Sequence, residues 1–152
     1  MNSYNSYKPQ VSTIKSDGIL EILALPRQPF DAHFEILAGY SSDLVRKIAL
    51  ETKLDELTIC QYVGVSRSTY YRKHLREKKT FTIEQSWKLY MFAKMLDSSM
   101  FLFNGDISAT LLWLKSPARA LGDQAPLQML STPAGVDAVI ELIGRVENGV
   151  IS

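Results

Sequence analysis

DELTICQYVGVSRSTYYRKHLR, residues Asp55 to Arg76, is the most informative run in the chain. It has the parts of a helix, a tight turn and a second helix. Leu57, Ile59 and Val63 supply inward apolar positions, Gly64 a permissive backbone at the turn, and Val65 an apolar plug beneath it. Ser66 is a natural N-cap, its hydroxyl satisfying an amide that the first helical turn leaves orphaned. Tyr70 anchors the second helix to the core, while Leu75 falls off the same stripe. The outward positions then go to polar residues. An N-terminal helical turn of this kind is placed to meet base edges in a major groove. Arginine pairs bidentately with guanine, and serine or threonine hydroxyls suit bases and phosphates alike. Ser66, Arg67, Ser68, Thr69, Tyr71 and Arg72 are therefore the candidate DNA contacts, with Lys73 and Arg76 suited to phosphates. Taken singly, Gly64 serves as a plain helix C-cap and both tyrosines as core. The conjunction of cap, glycine, plug and basic helix favours DNA binding.

Charge is distributed in the same sense. The 152-residue chain carries 17 basic and 16 acidic groups, a net charge of +1 that is silent about partners. Residues 41–80 hold nine basic and five acidic groups, whereas residues 100–152 hold three and five. A polyanion is met by the middle of the chain, not by its acidic end.

Working outward, the pattern is helical throughout. A short helix precedes Pro26 and Pro29, which stop it. Asp31 is expected to cap a helix through Ala38, with Gly39 after it, and Ser41 or Ser42 opens the next. Thr82, followed by Gln85, opens a long run with Ile83, Trp87, Tyr90, Met91 and Met95 at helical spacing. Asn104-Gly105-Asp106 breaks it, a helix through Leu111 and Leu114 follows, and Thr132-Pro133 starts a last helix to about Val146. No stretch alternates with period two. The expectation is an all-α fold in three parts: an arm and short helix over 1–29, a helix-turn-helix region over 30–80, and a helical unit over 81–152.

Several classes of function are disfavoured. One cysteine, Cys60, and two histidines, His33 and His74, leave no basis for a metal site. Neither a glycine-rich phosphate cradle nor a nucleophile elbow is present, so no catalytic residue and no cofactor is expected. The longest uncharged stretch, Gln124 to Val136, is interrupted by two prolines and too short to span a bilayer. The first ten residues lack the apolar run of a signal peptide. A cytoplasmic, non-enzymatic protein is expected.

The last third carries a second pattern: an N-G-D turn, a helix ending in Trp113-Leu114, then SPARALGDQAPLQMLSTPAG, then a helix closing on GRVENGVIS. This resembles the toxin-binding domain of Xre/MbcA/ParS-type antitoxins from type II toxin–antitoxin operons. The upstream VSRSTYYRK resembles the family's Xre-type helix-turn-helix, with Ser68 and Lys73 where arginines are usual. The resemblance implies an antitoxin that neutralises a RES-type, NAD-degrading toxin and represses its own operon by binding operator DNA. It implies that the C-terminal helix and tail, Arg145, Glu147, Asn148, Gly149, Val150, Ile151 and Ser152, cover the toxin's active-site entrance. A terminal carboxylate and two apolar residues suit entry into a cationic cleft. A homodimer or larger toxin–antitoxin assembly follows, since such repressors read near-palindromic sites. The alternatives are an orphan helix-turn-helix regulator without a toxin, and an interaction module whose helix-turn-helix is only a scaffold.

Overall fold

Helix starts in this chain are written by short-range chemistry. Ser41 Oγ accepts from the Asp43 amide at 3.3 Å, Asp55 from Leu57 at 3.0 Å, Ser66 from Thr69 at 3.2 Å and Thr132 from Gly135 at 3.0 Å. At Thr82 the cap is reciprocal: its hydroxyl accepts from the Gln85 amide while the Gln85 side chain accepts from the Thr82 amide. Each such cap contributes about 1 kcal/mol to helix stability. The computed structural model describes residues 18–75 and 80–149, with backbone alone at 74 and 75.

These caps and their runs make α1 (Ile19–Ile22), α2 (Pro29–Ala38), α3 (Ser42–Thr52), α4 (Glu56–Tyr62), α5 (Arg67–Leu75), α6 (Ile83–Met100), α7 (Ile107–Lys115) and α8 (Pro133–Glu147). Short 3-10 turns lie at Phe101–Phe103, Arg119–Leu121 and Pro126–Ser131. The fold is all-α. The only β features among the described residues are isolated bridges, Ser41 with Thr80 and Ala118 with Gln124.

α6 is the axle. Leu89, Phe92, Ala93, Met95 and Leu96 are wholly buried along it. Ser86, Tyr90 and Asp97 meet the N-terminal segment, which runs antiparallel to α6. The Tyr40 amide donates to Ser86 Oγ at 3.0 Å, Tyr90 Oη to the Pro26 carbonyl at 2.6 Å, and the Leu20 amide to Asp97 at 3.2 Å. Arg27 adds a forked pair of bonds to the same carboxylate, at 2.8 and 3.1 Å. Asp97 is thus a buried charge whose oxygens are all but fully engaged, the condition under which a carboxylate is tolerated inside. The other side of α6 takes α8, through Val139, Leu142 and Ile143, and the Pro126–Ser131 turn, through Leu127 and Leu130. α4 also touches that turn, so one apolar cluster runs from α1 to α8.

Two boundaries differ from the sequence reading. α2 begins at Pro29, not after Asp31: Gln28 is its N-cap residue and Asp31 lies within its first turn. Proline needs no amide partner at the first helical position, so Pro29 opens this helix as well as ending the segment before it. α6 runs on to Met100, one turn past Leu96. Gly39, with φ +88°, closes α2 where a Cβ would approach the Phe81 carbonyl and Thr80 to 2.9 Å, leaving room for glycine alone.

Candidate functional site

The run from Asp55 to Leu75 folds as α4, a tight turn and α5. Gly64 is left-handed at φ +75°, the Val65 amide donates back to the Cys60 carbonyl at 2.8 Å, and the Gly64 amide points to that of Gln61. This is a Schellman closure with Val65 and Cys60, both buried, as its apolar contact. The C-cap reading of Gly64 and the turn reading are one and the same arrangement. Burial and the acids Glu56 and Asp55 push the Cys60 thiol up to about 12, so it packs as a small hydrophobe.

Tyr70 is 1% exposed and is the one buried residue among the described side chains of α5. Its hydroxyl donates to the Glu56 carboxylate at the start of α4, pinning α5 to α4. Burial, then that bond, hold its phenol above the ordinary tyrosine range. With Tyr70 turned inward, Arg67, Ser68, Tyr71 and Arg72 face solvent together. The Arg67 guanidinium lies 5.6 Å from the centroid of the Tyr71 ring, which orders both side chains on one face. No acidic residue occurs in the first turn of α5, whose partial positive end is therefore unopposed.

Three of the sequence candidates are engaged within the chain. Ser66 Oγ takes the Thr69 amide and meets the Thr69 and Ser68 hydroxyls at 2.8 and 3.3 Å, a cap network. Lys73 Nζ donates to the Thr80 carbonyl at 2.7 Å, tying the end of α5 to the segment that enters α6. Arg76 lies outside the described residues, as do Lys78 and Lys79.

At the other end, α8 buries Val136, Val139, Leu142 and Ile143 and turns Asp137, Glu141 and Glu147 outward. Arg145 pairs with Glu141 at 3.1 Å, and its Nε is buried without a hydrogen-bond partner. Asn148 Nδ2 donates to the Gly144 carbonyl at 2.9 Å and Gly149 is left-handed at φ +78°, so these two residues end the helix. Val150, Ile151 and Ser152 lie outside the described residues. Leu112 on α7, 69% exposed, is an apolar side chain on the same unit that the sequence pattern placed with its buried neighbours. Trp113 is half-buried against Phe103, and Leu114 is fully buried. A cleft of about 590 Å³ separates the Gly64 turn from this unit, with Lys88 and Lys115 on its walls. Neither lysine stood out in the sequence, because the elements that bring them together are far apart along the chain.

Residues 99–149, from the end of α6 through α8, match a family described as the antitoxin Xre/MbcA/ParS C-terminal toxin-binding domain. The chain is 31% identical over 117 residues to an Antitoxin Xre of Yersinia enterocolitica, covering 77% of this chain and 78% of that one. The chain belongs to the Xre antitoxin family. A second Xre antitoxin, from Photorhabdus laumondii, is 33% identical over 114 residues, covering 75% of this chain and 76% of its own. The family domain takes in α7, α8 and the turns between them, and leaves α1 to α5 outside it. No helix among the described residues is long and apolar enough to cross a membrane.

Proposed function

We propose that this Xre antitoxin neutralises a RES-type, NAD-degrading toxin by seating its C-terminal end, Arg145 to Ser152, over the toxin's active-site entrance. We also propose that it represses its own operon. The observation that carries the first part is the toxin-binding family match over residues 99–149. The second rests on α5, whose one buried anchor, Tyr70, leaves Arg67 and Arg72 outward on a helix with an unopposed positive end. In this reading Arg67, Ser68, Tyr71 and Arg72 reach base edges, while Lys73 and Arg76 meet phosphates. Ser66 and Thr69 contribute chiefly by holding the start of the helix. The protein acts by binding, without a reaction or cofactor of its own, in the cytoplasm where operator and toxin are both present. It works as a homodimer or in a larger complex with the toxin.

Charge reversal at Arg67 and Arg72 separates the two activities from each other. It is expected to abolish operator binding in a mobility-shift assay and to leave rescue of cells from the toxin intact. Deletion of Gly149–Ser152 is expected to do the opposite. Full neutralisation by the truncated chain would refute the tail assignment, and undiminished operator binding by the reversed chain would refute the assignment of α5.

A further inference from the structure

The outward face of α2 is apolar. Phe30, Phe34 and Leu37 recur at helical spacing and are 74%, 55% and 50% exposed. The two phenylalanine rings meet edge to face with centroids 5.1 Å apart, and His33 sits edge-on to Phe34 at 5.2 Å. The inward residues, Ala32 and Ile36, already serve the core against α6. α6 in turn exposes Ile83 (56%) and part of Trp87 and Met91, and α1 exposes Ile22. At roughly 200 Å² for a fully exposed phenylalanine, Phe30 and Phe34 alone leave about 250 Å² in water. With the aliphatic residues the apolar surface on α1, α2 and α6 passes the few hundred Å² that monomers ordinarily carry.

We propose that this face receives a second copy of the chain, packed about a two-fold axis beside α2. The other two partners do not fit it. The toxin-binding match begins at residue 99, beyond α2. DNA is repelled, because α2 carries Asp31 and Glu35 and no lysine or arginine. A second copy brings phenylalanine against phenylalanine. Four such rings bury roughly 500 Å², an apolar centre to which a polar rim adds the remainder of a small specific interface of ~1,200 Å². Asp31 and Glu35 stay at that rim in water. The inference deepens the operator reading, since paired half-sites need α5 helices related by a two-fold axis. It is nonetheless testable without DNA.

The test is sedimentation equilibrium of the full chain beside the Phe30→Glu/Phe34→Glu variant, with far-UV circular dichroism to establish that both are folded. A wild-type dimer and a folded, monomeric variant are expected, with dissociation weakened at least a hundredfold. A wild-type monomer, or a variant that dimerises as tightly as the wild type, overturns the proposal. Should the double variant not fold, Phe34→Cys in a Cys60→Ser background carries the test: oxidation should link two copies, and no link overturns the proposal. If the wild type is monomeric and deleting residues 1–17 raises binding of a hydrophobic dye, the chain's own N-terminal segment covers this face, and the proposal falls. A dimer that ignores operator DNA would refute the operator reading and leave this one standing.

Discussion

Replacing Tyr70 with alanine tests how α5 is held. Nine residues are too few for a stable helix in water without tertiary support, because nucleation is costly and few hydrogen bonds follow it. α5 draws that support from one buried ring, together with the bond from its hydroxyl to Glu56. Truncating a buried aromatic side chain costs about 3–5 kcal/mol, the transfer term plus the cavity left behind. Taking about 4 kcal/mol, the opening equilibrium of α5 shifts by roughly a thousandfold. Native-state hydrogen exchange should find the amides of α5 in Tyr70→Ala exchanging faster by about that factor, with α6 amides losing much less. Tyr70→Phe keeps the ring and should cost only about 1–2 kcal/mol. Unchanged protection in α5 would show that other contacts dock it. Equal losses in α5 and α6 would show that the two unfold as one unit.

Further expectations concern the rest of the framework. Asp97→Ala leaves the buried Leu20 amide without its acceptor and Arg27 with Glu21 alone; a loss of about 2–4 kcal/mol should appear as a lower urea midpoint. Gly135→Ala, ordinarily favourable in a helix by up to about 1 kcal/mol, should instead destabilise, because the new Cβ would lie 2.2 Å from the Met129 carbonyl oxygen. A rise in melting temperature would contradict that packing. Stability should also fall in alkali. The Cys60 thiol is raised from 9.0 to about 12 by folding, so its contribution is whole below pH 9 and is lost as pH climbs towards 12. Cys60→Ser should flatten the denaturation profile over that window.

Much of the architecture is legible in the sequence because its signals act within four residues. Thr82 with Gln85, Asp55, Ser66 and Thr132 cap the helices that follow them, and Gly64 closes α4, through hydrogen bonds that depend on no distant part of the chain. Tyr70 as the inward anchor of α5 follows from the same spacing. Pro29 was misread as only a stop, since proline both ends one helix and suits the first position of another.

What the sequence by itself determined, then, is the all-α class, the order of helices, the turn at Gly64 and the family resemblance, all written in near neighbours. Only the tertiary structure decided which polar groups are occupied and which apolar ones are bare. Lys73 reads as one more basic residue, yet it binds the Thr80 carbonyl seven positions away. Asp97 looks like a surface acid on a long helix, but Arg27 and Leu20, more than seventy residues earlier, make it a buried junction. Phe30 and Phe34 look like core, and the packing of α2 on α6 through Ala32 and Ile36 leaves them in water. The physical reason is the same in each case: a helix's pattern says which residues share a face, but only the neighbour that packs against one face leaves the other to solvent or to a partner.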